Sequence, residues 1–295
     1  MRTIAAKLFA SVLFGLVLSS ALFATDYRYT KIDVPNSSAT IARGINARGD
    51  IIGDYFDADG MAHEFLLHNG VYTNIPNPSD GTIAVRAINA RGDIVGALGD
   101  EVGGHGFLFH DGQFTKVDFP GASDTIAFGI NNTGDITGQY TAKSGAVFGY
   151  LLRDGTFHKI SIRDTDFTGA HGAEDSGRVI VGDIVLSADS STRGFIWNRG
   201  AVQLLDPPGT IFPCSHARGI NERGDVAGAF AIVHTPEECF PPNHGFVFRQ
   251  GEYDVIDPHG SVDTFVFGIN DDGVVVGVFT DQNGILHGFK ATPKD

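Results

Sequence analysis

Positive charge is in short supply in this chain of 295 residues: 21 Lys and Arg stand against 35 Asp and Glu, a formal net charge of −14. A chain this acidic repels phosphate backbones, so nucleic acid is not an expected partner, and the charge itself reads as a solubility feature. Tryptophan (1), methionine (2) and cysteine (2) are scarce. One long apolar run occurs, Leu8 to Phe23, and no second one follows. Nothing is therefore left to span a membrane once that run is removed. No cysteine lies near the start, which excludes a lipid-modified N-terminal cysteine. There is no nucleophile-elbow motif, no His-Glu-x-x-His helix and no Gly-rich strand-to-helix loop, so the sequence offers no nucleotide cradle and no familiar hydrolase signature. No carboxylate pair stands out as a glycosidase couple. No cofactor is expected.

The N-terminus has the layout of a secretory signal over residues 1–24. Arg2 and Lys7 give the basic start, the apolar run follows, and Ser19, Ala21 and Ala24 offer small-residue cleavage points after Ala21 or Ala24. An uncleaved anchor is the alternative. The remaining chain, residues 25–295, reads as a single exported domain of about 270 residues. It is expected to be secreted or periplasmic, monomeric, and free of the membrane after cleavage.

What the chain has in abundance is repetition. Gly44-Ile45-Asn46 returns as Ala87-Ile88-Asn89, Gly129-Ile130-Asn131, Gly172-Ala173-Glu174, Gly219-Ile220-Asn221 and Gly268-Ile269-Asn270, at spacings of 43, 42, 43, 47 and 49 residues. A period in this range marks a repeat architecture. Each repeat holds four short strand candidates. In the first these are Ile41 to Ile45, Ile51 to Tyr55, His63 to Leu67 and Tyr72 to Ile75. Asn69-Gly70 is a two-residue hairpin signal, echoed by Asp111-Gly112, Asp154-Gly155, Arg199-Gly200 and Gln250-Gly251. The abundance of Gly (39) and Phe (23) fits short strands joined by tight turns. Four antiparallel strands per unit of this length predict an all-β, six-bladed β-propeller. The last repeat lacks its own fourth strand, and Tyr27 to Asp33 matches Gln113 to Asp118. The N-terminal strand is thus predicted to pair into the last blade and close the ring, which removes an exposed sheet edge.

The repeats resemble those of the extracellular HAF-repeat family. The pattern is His105-Gly106-Phe107-Leu108, Asp111-Gly112, Val117-Asp118-Phe119-Pro120-Gly121 and Gly129-Ile130-Asn131, repeated over almost the whole mature chain. The resemblance implies an exported bacterial protein with a propeller-like fold, and it brings no activity with it. Two units depart from the pattern: Phe148-Gly149-Tyr150 lacks the His, and Arg193-Gly194-Phe195 with Glu174 lacks both His and Asn.

That tolerance of loss marks the repeated polar residues as structural. His63, His105, His244 and His287 lie in different blades, far from the axis, and read as ties from a strand to a neighbouring turn rather than as a metal ring. Asn46, Asn89, Asn131, Asn221 and Asn270 read as turn residues whose side chains bond the backbone two positions on. Asp57, Asp59 and Gly60 loosely resemble a calcium loop but lack its further ligands and read as a plain turn. Cys214 and Cys239, both in the fifth repeat, read as a disulfide in an exported protein, with a zinc site adding His216 and His244 as the alternative. No metal is otherwise expected. The segment from Phe230 to Asn243 is either a specificity loop or a tolerated insertion.

The best candidate site lies just before each small-Ile-Asn triplet, where propellers crowd their loops toward the axis. The residues there are Arg43, Arg86, Phe128, His171, Arg218 and Phe267, with His216 nearby. Three Arg and several rings against an acidic background can bind an anionic or carbohydrate ligand through planar forks and stacking. They can equally fill space between blades. The chain is therefore expected to be a non-catalytic binding or interaction scaffold with its contacts at the axial opening. The alternative is a carbohydrate-active hydrolase or lyase using Arg218, His171 and His216 there.

Overall fold

A computed structural model describes residues 25–78, 81–100, 103–210, 214–232 and 242–294, and among them every regular element is a β-strand. β1 (Tyr27–Ile32) precedes the repeats. The first repeat forms β2 (Ala39–Ile45), β3 (Ile51–Phe56), β4 (Ala62–His68) and β5 (Val71–Ile75). The second forms β6 (Thr82–Ile88), β7 (Ile94–Asp100), β8 (Gly103–His110) and β9 (Gln113–Val117). The third gives β10 (Asp124–Ile130), β11 (Ile136–Thr141), β12 (Val147–Arg153) and β13 (Thr156–Ile160). The fourth gives β14 (Thr165–Ala173), β15 (Val179–Leu186), β16 (Thr192–Asn198) and β17 (Ala201–Leu205). The fifth gives β18 (Ser215–Ile220), β19 (Val226–Ala231), β20 (Asn243–Arg249) and β21 (Glu252–Ile256). The sixth has only β22 (Asp263–Ile269), β23 (Val275–Thr280) and β24 (Leu286–Pro293).

Local chemistry explains the hairpins. At the five turns between the third and fourth strands, the first residue has φ between 47° and 53° and the Gly between 72° and 95°. Two successive positive φ values define the turn whose twist matches that of the flanking strands. The third-strand aromatic, Phe65, Phe107, Tyr150, Phe195, Phe246 and Phe289, is completely or almost completely buried in every repeat. Each such ring is worth on the order of 2–3 kcal/mol of apolar burial, and together they form the layers between sheets.

The sixth repeat is completed as predicted. β1 pairs antiparallel with β24 from Tyr27↔Pro293 to Ile32↔Gly288, and Tyr27 and Ile32 are both buried. The expectation of six separate four-stranded sheets needs correction. Four sheets are four-stranded, and the third and fourth repeats share one sheet of eight strands. The link is a single parallel bridge, Val147↔Phe167. It exists because β14 is the longest strand and begins early, alongside a stretch of β12 that β13 leaves uncovered.

The repeated His residues are structural ties. His105, His244 and His287 bond Asp118, Asp257 and Asp33 at 2.9, 2.7 and 2.9 Å. Where the fourth repeat has Arg193 instead, it bonds Asp206 at 3.1 Å. His63 turns to Asp57 at 2.9 Å, since Pro76 stands where the second, fourth, fifth and sixth repeats place the Asp. In the third repeat Lys159 lies over the Phe148 ring, 3.2 Å from its centroid.

The Asn residues do more than satisfy their turns. Asn46 Oδ1 accepts from Arg48 N and Asp50 N, both at 3.0 Å, as the turn reading requires. Its Nδ2 also donates to Asn89 O of the next repeat at 3.0 Å. The same link runs from Asn89 to Asn131 O (3.2 Å), Asn131 to Glu174 O (2.9 Å), Asn221 to Asn270 O (3.0 Å) and Asn270 to Asn46 O (3.2 Å). Asn270 joins the last repeat to the first. Asn270→Ala should therefore cost about 1–3 kcal/mol in chemical denaturation, because it strands buried backbone partners. Glu174→Ala, at the one position where this side chain makes no such link, should cost under about 0.5 kcal/mol. Equal costs would rule out the inter-repeat bond as the reason.

Cys214 is buried beside Ala231. Its expected partner Cys239, the signal segment and most of the 230–243 loop lie outside the described residues.

Candidate functional site

The six candidate axial positions share one backbone device. Pairing along the first hairpin runs Ala42↔Gly53 and then Gly44↔Ile52, leaving Arg43 as an extra residue. The same skip isolates Arg86, Phe128, His171, Arg218 and Phe267. A one-residue bulge kinks its strand and re-aims the side chain it carries. All six bulged side chains line one chamber of about 220 Å³ on the axis. Immediately beyond, the repeats meet almost backbone to backbone. A Cβ on Gly44 would sit 3.2 Å from Ala87 Cα and 3.3 Å from Arg86 O, which explains the small residue heading each triplet.

The predicted site residues are thus brought together, except His216. It sits behind the chamber, its Nδ1 3.0 Å from Asp183 Oδ2 and its ring tilted against Phe265. His244 is turned to Asp257 instead. The two histidines of the zinc alternative therefore bond different carboxylates, and among the described residues no group of three or more His, Cys, Asp or Glu is arranged to hold a metal ion.

Charge in the chamber is unevenly spent. Arg43 Nε bonds Asp54 Oδ2 at 2.7 Å, and the guanidinium lies over the Phe267 ring at 4.6 Å. Arg218 Nη2 lies 3.2 Å from Asp183 Oδ2, and its Nη1 is 2.9 Å from His171 Nδ1. Asp183 is buried, and Oδ1 also accepts from Ala217 N at 3.0 Å. Burial alone would raise its pKa, but Arg218, His171 and His216 outweigh that and hold it well below the usual carboxylate range. His171 is depressed to about 3, first by burial and then by Arg218, so its ring is neutral at physiological pH. It stacks on Phe128 at 4.3 Å between centroids.

Arg86 has no such partner. Among the described residues no carboxylate forms an ion pair with it, and its Nε is buried without a hydrogen bond. Burial, then Arg43, lowers its pKa to about 10, which still leaves it charged. Guanidiniums counted against carboxylates give one unbalanced positive charge. The other end of the axis has the opposite sign, with Asp175, Glu222 and Asp271 among its lining. There Asp175 N donates to Glu222 Oε1 at 2.6 Å, and Glu222 N to Asp271 Oδ1 at 3.0 Å.

Sequence reasoning misses Asp54 and Asp183. Both follow the Gly of the second strand, where the other repeats have Ala97, Gln139, Ala229 and Val278. An acid there, beside an inner strand bearing Arg, is the available signal.

No family model matches the chain, and a search of curated proteins finds no match. Solved structures do match. The lectin of Aleuria aurantia, a point mutant in complex with Fucα1-6GlcNAc, superposes with a TM-score of 0.52 at 10% identity, over 88% of this chain and 93% of that one. AofleA from Arthrobotrys oligospora gives 0.50 at 14% identity, over 90% and 86%. XC5397 from Xanthomonas campestris, described as a gluconolactonase, gives 0.50 at 12%, over 93% of each. The fold is a β-propeller. At such identities the likeness reaches the fold and stops there. In this propeller the predicted six separate blades become four four-stranded blades and one eight-stranded double sheet.

Proposed function

We propose that this propeller is an exported, non-catalytic binding protein whose axial chamber takes a small anionic group, such as the carboxylate of an acidic sugar. The double sheet counts as two units in this reading, so that six units surround the chamber, and Cys214 is bridged to Cys239. The observation that carries the proposal is Arg86, a guanidinium lining the chamber with no carboxylate of its own. A planar fork in a confined site suits a carboxylate. A sugar ligand is also in keeping with the Aleuria aurantia lectin, which shares the fold and is complexed with Fucα1-6GlcNAc.

Calorimetric titration with glucuronate should show binding that weakens with added salt, while glucose should bind more weakly. Arg86→Ala should lower glucuronate affinity at least tenfold, the loss of roughly 1.5–3 kcal/mol for a charged hydrogen bond. Binding that is indifferent to Arg86, or no binding of glucuronate, galacturonate or sulfate, would sink the proposal.

One observation favours the hydrolase or lyase alternative: His216 and Asp183 form a histidine–carboxylate pair beside the chamber. Against it, no carboxylate lines the chamber, and Asp183 is engaged by Arg218. Incubation with oligouronates and detection of unsaturated or shortened products separates the readings.

A further inference from the structure

The first repeat breaks the pattern at one buried position. Glu64 follows His63 where the other repeats have Gly106, Gly149, Gly194, Gly245 and Gly288. Those glycines are hemmed in. A Cβ on Gly245 would lie 2.6 Å from Ile256 O and 2.7 Å from Val266 Cγ2 of the next repeat. Between the first and second repeats the seam instead opens into a cleft of about 540 Å³, with Glu64, Asn74 and Thr82 in its walls.

Glu64 is only 5% exposed. Among the described residues it has no ion pair and no hydrogen bond from another residue. Asp54, directly across the ladder on β3, has a buried Oδ1 that no donor satisfies. The nearby basic side chains are committed elsewhere, Arg43 to Asp54 Oδ2 at 2.7 Å and His63 to Asp57 at 2.9 Å. The charged groups acting on Glu64 are Asp54 from β3 and His63 of its own strand. β5 and β6 present Asn74, Ile75, Thr82 and Ile83, none of which titrates. Burial first, and Asp54 second, raise the Glu64 pKa to about 7. A buried carboxyl without a counter-charge keeps its proton, and a ligand that brings the counter-charge releases it.

We propose that this cleft is a second ligand site, which takes the primary ammonium group of a small amine or a lysine-type side chain against Glu64. The ammonium supplies the missing counter-charge to Glu64. It remains protonated throughout, and the single proton lost by Glu64 passes to solvent.

The test is calorimetric titration of the whole chain with ethanolammonium and with Nα-acetyl-lysine amide, in buffers of different ionisation heat. Near pH 6 the heat should report release of about one proton, and affinity should rise roughly tenfold by about pH 8. Glu64→Gln, which mimics the protonated side chain, should lose both signatures, with thermal melting as the check that it folds. Glu64→Gly, the residue of the other repeats, is the substitute if it does not. Arg86→Ala should leave both signatures intact, so this site and the axial chamber can fail separately. Response to the lysine derivative alone would assign the group to a protein side chain, and response to both would admit free amines. Heat independent of buffer, affinity flat with pH, or undiminished binding by Glu64→Gln would overturn the proposal.

Discussion

Acidification from about pH 6.5 to about pH 3 is expected to destabilise the folded propeller by roughly 3–5 kcal/mol through His171 alone. The sign follows from where the proton sits. The unfolded imidazole titrates near 6.5, whereas the folded one, buried and facing Arg218, takes no proton until about 3. Between those values the unfolded chain binds one more proton than the folded chain. Stability therefore rises with pH across the window and is lost as pH falls through it. His171→Phe should remove about one proton's worth of slope, because Phe already stands at the equivalent bulge as Phe128 and Phe267. Its absolute stability will also change, since the Arg218 contact is lost, so the readout is the slope of unfolding free energy against pH. Carboxylates other than Asp183, whose low pKa owes part to His171, contribute equally to wild type and variant. Identical slopes would mean that the ring is protonated in the folded state.

Removing residues 25–33 should be more damaging than any single substitution in the ring. β1 supplies six cross-strand pairs to β24 and buries Tyr27 and Ile32. Those two side chains alone are worth about 1.5–3 kcal/mol each. Together with the ladder, the loss takes up much of the roughly 5–15 kcal/mol that stabilises a typical domain. It also bares the edge of β24, a template for pairing with other chains. The truncated chain should melt at least about 10 °C lower and associate on size-exclusion chromatography. A peptide spanning residues 25–36 should reverse both effects by adding itself to the open edge. A truncated chain that stays monomeric and melts within a few degrees of the intact one would show that closure contributes little.

Much of this architecture is legible in the sequence, for a reason visible in particular residues. Asn69-Gly70 and its echoes dictate one turn geometry, and the fully buried aromatic of the third strand repeats with it, so local signals and packing agree. The match of Tyr27 to Asp33 with a fourth strand reveals the closure. The bridge from Val147 to Phe167 is not legible, because it depends on where one strand starts relative to its neighbour's end, which no residue type specifies. Position in the repeat locates the candidate chamber, but it does not disclose the bulges that build it. Their trace is a broken alternation: Ala42 and Ile45 both face inward although they lie three apart. Asp54, Asp183 and Glu64 are harder to see, because each matters only through a neighbour in another strand or repeat.

The bulges separate two kinds of inheritance. Three residue types, Arg, Phe and His, occupy one backbone conformation at six places, and the hydrogen-bonded pairs on either side resume unchanged. Exchange at residues 43, 86, 128, 171, 218 and 267 therefore changes the wall of the axial chamber while the turns, aromatic layers and asparagine links go on assembling the same body. The lining of the chamber and the assembly of the ring are written at different positions of the repeat, and they meet where Arg43 and Arg218 hold Asp54 and Asp183.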